Sequence, residues 1–244
     1  MMKADSFLDQ QFYQNPYPVY TALRGVHAPV YLEEVGFWFI GDYHTIASLI
    51  TQQSPGIVRV SPYQIEQYAA GLLSTLGNRF DLVKDFAIPL AIKTQVEPEV
   101  TANLISGGML ALMSHPKQYA LLKAKPERIP IAVEEMLRYD SPLQIDFYTL
   151  KSRAGHLPAG THVGLGIAAA NRDPAVFHNA DVFDITRKRN HHLTIGVGAE
   201  RITMQVVLKL LLQKNIGLDI DMDELKYAPT MRYRHLISLP VRVF

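Results

Sequence analysis

The sequence predicts a mainly α-helical fold with a small β part, and three observations carry that prediction. In the second half of the chain apolar residues recur at helical spacing, as with Met204, Val207, Leu208 and Leu211 within Ile202 to Leu212. Runs that read as strands are few and short, namely Val30 to Glu33, Phe37 to Ile40, Val163 to Ile167 and a last one from His235 to Phe244. With 244 residues and 48% hydrophobic content, the chain can bury a substantial core.

The elements follow in order. Asn15-Pro16-Tyr17-Pro18 predicts a turn, and Val19 to Arg24 a short helix. The first two strand runs pair across Glu34 to Gly36. Asp42 is placed to cap a helix from Tyr43 to Ile50. Gln52 to Pro62 is a junction containing Pro and Ser, and Tyr63 to Leu76 and Leu82 to Thr94 read as helices. Glu97-Pro98-Glu99 opens another, because proline suits a first turn and both acids face the positive end of the dipole. It runs to Met113 and stops before His115-Pro116. Lys117 to Leu122 and Ile131 to Tyr139 are two more.

Composition excludes several classes. Lys and Arg total 24 against 23 for Asp and Glu, so no charge excess points to nucleic acid. There is no cysteine, which removes disulfides, thiolate metal sites and cysteine nucleophiles together. No stretch approaches the roughly 20 apolar residues that span a bilayer, and the first residues have no signal-peptide core. A cytoplasmic protein without membrane insertion is the expectation.

Glu135 and Arg138 stand three apart on a helix face, so they can pair. If buried, the pair needs further partners to offset desolvation, and Arg187 is a candidate. His191-His192, with His178, invites a metal reading, but adjacent histidines in extended chain point to opposite faces. Gly196, Gly198 and Arg201 match a phosphate loop only loosely, since no βαβ unit surrounds them. Gly107-Gly108 inside a helix costs stability, which close packing or a bulky ligand would explain.

Several segments together, in order, resemble the cytochrome P-450 family. They are NPYPVYTALR, PVY and FWFIGDYHTIASLI; then NLISGGMLALMSHP; then AVEEMLRYDSP, which carries the family's Glu-x-x-Arg motif as Glu135 and Arg138. AANRDPAVFHNADVFDITR, HLTIG and LISLPVRVF complete the match, and Arg187 corresponds to the arginine of the family's structural cluster. The resemblance implies one reduced P-450-like domain over residues 1–244, with internal deletions near 53–62, 92–98 and 198–202. It also implies that Val100, Leu143, Thr230, Met231 and Arg232 line the old substrate cavity, along with Glu99, Asp146 and Tyr148.

Against the family pattern, the chain lacks what haem needs. A P-450 holds iron through a cysteine thiolate, yet here Thr194 to Gly198 passes through Ala199-Glu200-Arg201 directly into helix. Tyr148 stands where a basic propionate partner is expected. Glu99 keeps the acid of the central helix, but Val100 replaces its threonine. No haem ligand, metal or other cofactor is therefore expected.

Three functions stay open. One is a non-redox enzyme, a cyclase or isomerase acting on a small apolar biosynthetic intermediate. Glu99, Asp146 and Tyr148 would then supply acid–base chemistry. The second is a non-catalytic pseudo-enzyme that binds a partner or carrier protein, or forms a homodimer. The third, a haem monooxygenase, rests on the family name alone. The first two differ in whether a closed apolar pocket with convergent polar groups survives. Without the family's roof, Leu104, Ile105, Met109 and Leu112 are expected to lie partly uncovered and to favour self-association.

Overall fold

A computed structural model describes residues 7, 9–50, 61–94, 97–194, 198–214, 216–220 and 222–243. Its N-terminal helices are α1 (Gln10–Gln14) and α2 (Tyr17–Arg24). The sequence reading missed α1, whose first turn is held by the Asp9 side chain accepting from the Gln11 amide. Helix α2 starts two residues earlier than Val19, because Pro18 fits its first turn instead of ending the preceding one. The hairpin forms as β1 (Val30–Leu32) and β2 (Phe37–Ile40). Asp42 then accepts from the Thr45 amide at 2.7 Å and opens α3 (Tyr43–Ile50).

Helix α4 (Pro62–Thr75) begins with a reciprocal capping box between Ser61 and Gln64. The chain then makes a short strand β3 (Arg79–Asp81), a π-helical stretch Leu82–Ala87 and α5 (Ile88–Thr94). Next come α6 (Pro98–Met113), α7 (Pro116–Ala124) and α8 (Ile129–Tyr139). The remaining elements are β4 (Asp146–Thr149), β5 (His162–Leu165), α9 (Ile167–Ala170), α10 (Gly198–Gln213), β6 (Leu218–Ile220), β7 (Lys226–Tyr227), β8 (Leu236–Ser238) and β9 (Pro240–Val243).

Strand β5 is shorter than expected: Ile167 belongs to a helical turn, because the Gly166 amide bonds Ile40 and the Ala168 amide bonds Gln144. The expected C-terminal strand is two. At Leu239 the amide turns to the Asp81 carboxylate, so β8 pairs with β7, while β9 lies between β3 and β6. Another sheet has the order β1-β2-β5-β4, with β2 and β5 parallel and its other pairs antiparallel.

One sequence expectation is overturned. Leu104, Ile105, Met109 and Leu112 are 1%, 0%, 2% and 0% exposed, so α6 presents no bare apolar face here. The π-helical stretch, α5, α8 and α10 pack around it, closing the surface that was expected to drive self-association. The paired glycines mark the tightest point. A Cβ on Gly108 would stand 3.0 Å from Met136 Sδ and 3.3 Å from Met204 Cε, so α6, α8 and α10 meet there.

Candidate functional site

The Glu135 carboxylate lies at the hub of the best-satisfied polar cluster. It is fully buried on α8, one turn before Arg138, and the two make a two-point pair at 2.8 and 2.9 Å. Arg187 joins Oε2 at 3.1 Å, as does Asn190, and the Asp184 amide donates to Oε1 at 2.9 Å. Arg138 spends its other donors on the carbonyls of Asn171, Ala180 and Val182. The Glu135 carboxylate and the Arg138 guanidinium are engaged on every side, so the cluster ties α8 to the loop of residues 171–190.

Beside it lies a second ion pair that the sequence did not reveal. His192 Nε2 meets Glu134 at 2.9 Å, and Arg201 Nε meets the other carboxylate oxygen at 2.7 Å. His192 Nδ1 accepts from the Thr194 amide, which leaves Nε2 as the donor to Glu134. Burial lowers the pKa of His192 despite Glu134. Burial raises Glu134, but the bonds from His192 and Arg201 outweigh it and bring its pKa to about 2. The partner missing from the sequence reading of His191-His192 is a glutamate from α8, which holds His192. No group of three or more metal-ligating side chains occurs among the described residues.

The proposed acid–base residues separate into two places. Glu99 is exposed in the first turn of α6, and Asp146 is half-buried at the start of β4. Both act on Tyr233: burial raises its phenol, Arg232 opposes the rise, and Glu97, Glu99 and Asp146 add to it. Tyr233 is placed there by an isolated bridge to Leu143 and by the Gln144 amide bonding the Arg232 carbonyl. Tyr148 shares a strand face with Asp146, but its ring packs on the cluster containing Ile40, Ile46 and Leu165.

The residues expected to line a substrate cavity also diverge. Leu143 is buried, and half-buried Val100 packs on the main core. Thr230 and Met231 border a cavity of only about 10 Å³, and Arg232 is exposed over the Tyr233 ring at 5.2 Å. None of the main cavities among the described residues is lined by Glu99, Asp146 or Tyr148. Tyr233 was not singled out from the sequence. Its alternation with Arg232 and Arg234 in an extended segment was the available signal.

No family model matches the chain. It is 39% identical over 160 residues to a biotin biosynthesis cytochrome P450 of Bacillus subtilis, a stretch covering 59% of this chain and 39% of that one. It is 36% identical over 159 residues to the cytochrome P450 monooxygenase PikC of Streptomyces venezuelae, covering 59% and 38%. Among solved structures, P450BioI in complex with an acyl carrier protein matches with a TM-score of 0.82 at 22% identity, over 96% of this chain and 99% of that one. The cytochrome P450 PksS of Bacillus subtilis matches with a TM-score of 0.79 at 21% identity, over the whole of both chains. The chain belongs to the cytochrome P450 superfamily. It spans about two fifths of the length of the curated relatives it matches.

Membership implies haem, and the residues present do not fit it. A P450 supplies a thiolate to the iron, and this chain has no cysteine. The loop that leads into α10 includes residues 195–197, which lie outside the described residues. Past it, Ala199 and Glu200 are buried against α6, where Thr101 is also buried. His192 is committed to Glu134, His235 to Asn103 and His115 to the Ala111 carbonyl.

Proposed function

We propose that this chain is a haem-free P450 homologue that works by binding a partner protein, in secondary-metabolite biosynthesis. One observation carries the reading. The cluster that holds the fold is complete at Glu135, Arg138 and Arg187, while the chain has no thiol to hold iron. The candidate acid–base groups support it too, since none of Glu99, Asp146 and Tyr148 lines a main cavity among the described residues. The relatives' names favour a monooxygenase, and the missing thiol opposes that activity directly. The proposed partner is an acylated carrier protein, a reading supported by the neighbour whose structure holds an acyl carrier protein. The test is calorimetric titration of the purified chain with an acyl-loaded carrier protein. Saturable binding without added haem is expected. No heat with any acylated carrier would overturn the reading.

A non-redox cyclase or isomerase is the second reading, and the convergence of Glu97, Glu99 and Asp146 on Tyr233 favours it. A small apolar intermediate would be the substrate. Turnover would run without oxygen or an electron donor and would fall in Glu99→Gln, Asp146→Asn or Tyr233→Phe at an unchanged melting temperature. Tyr148→Phe tests the remaining candidate. Anaerobic turnover left intact by all four changes would remove this site.

A further inference from the structure

We propose that the open groove between α2, the C-terminal end of α6 and the segment from Met222 to Tyr227 is a binding site for a small organic carboxylate with an apolar tail. The groove has a volume of about 930 Å³ and lies apart from Glu99, Asp146 and Tyr233. Two arginines line it, Arg172 and Arg234, only 7% and 9% exposed. Both are held rigidly. Arg172 is sandwiched between the rings of Tyr17 and Tyr139 at 3.7 and 3.8 Å, and Arg234 lies 3.7 Å over Tyr227.

Their hydrogen bonds leave donors to spare. Arg172 uses Nε and Nη2 on the Tyr139 carbonyl and Nη1 on Asp181. Arg234 uses Nε on Asp140, with Nη1 and Nη2 on the carbonyls of Tyr13 and Gln14. A guanidinium has five N–H donors, so each keeps one on either terminal nitrogen. Among the described residues of the groove, the less exposed carboxylate is the half-buried Asp140, and it already accepts from Arg234 and from Tyr17. Asp181 is the acid facing Arg172, at 3.1 Å and 78% exposed. Such a rim pair is weak and readily exchanged. An incoming carboxylate replaces Asp181 on Arg172 in the two-point geometry that guanidinium favours. Leu110, Ala111, Leu225 and Met222 supply the apolar wall for its tail, and exposed Met222 is flexible enough to fold over it.

Calorimetric titration with octanoate tests the site, with octanol and acetate as the probes lacking the charge and the tail. Octanoate is expected to bind, more weakly at high salt, and the two controls are not. Asp181→Asn removes the competing acid at an exposed position, so octanoate should bind about two- to fivefold tighter. Met222→Glu puts a carboxylate on the exposed wall and should weaken binding. Arg172→Gln should weaken it at least about tenfold where the melt shows a folded protein. Octanol binding as well as octanoate, or an octanoate affinity unchanged in Asp181→Asn, would overturn the assignment.

Discussion

At the scale of single residues, the buried charge of Glu135 is held by matched partners. Glu135 accepts from two arginines, an asparagine and a backbone amide. Arg138→Ala leaves that carboxylate buried beside three carbonyls that have lost their donor. The expected loss is about 3–5 kcal/mol in a urea melt. Arg187→Ala keeps the two-point pair and should cost about 1–3 kcal/mol. Melting unchanged in both variants would refute the structural role. His192 gives a pH dependence of definite sign. Its folded pKa lies below the ordinary value, so the unfolded chain takes up the proton first. The stabilisation is complete above about pH 6.5 and is lost as the pH falls through the folded value. Glu134 acts in the same direction much lower, between its ordinary value and about 2. Urea melts from pH 8 to 5 should show the first loss in wild type and a flatter profile in His192→Asn.

At the scale of elements, what the sequence revealed was local. The hairpin, the Asp42 cap and the α6 start at Pro98 follow from neighbouring residues. Strands β3, β6 and β7 did not, because each has only two or three residues and takes its place from a distant partner, as Arg79–Asp81 does from residues 240–242. The common face of Asp146 and Tyr148 was legible from strand alternation. Which of them acts on Tyr233 was not, since that depends on how the loop carrying Tyr233 lies against Leu143. The burial of α6 was missed for the same reason: the segment Leu82–Thr94 supplies cover that no local pattern announces. Glycine spacing makes a test at this scale. A Cβ on Gly166 would stand 2.3 Å from Phe39 Cζ, in a stacked aromatic group that includes Tyr20. Gly166→Ala should cost about 1–3 kcal/mol through overpacking. Gly108→Ala meets only flexible methionines and gains helix propensity, so its cost should be smaller. Thermal melts that rank the two the other way would contradict the packing described.

At the scale of the molecule, the superfamily's fold persists in a chain whose matched stretch spans about two fifths of the length of its curated relatives, with a continuous core around α6. Among the described residues, three buried clusters divide the work: one around α6, one under α3 and β5, and one joining α1 and α2 to the aromatic residues of β2. The fold is kept by Glu135 and its partners, and those residues have no part in holding iron. Loss of the thiolate therefore need not unfold the chain, and the central claim is that it is folded and functional without haem. Reconstitution of the purified protein with haemin, followed by reduction under carbon monoxide, tests this most directly. The account predicts no Soret band of the thiolate-ligated type and an unchanged melting temperature with and without haemin. A thiolate-type band, or a melt that rises on stoichiometric haem binding, would contradict it.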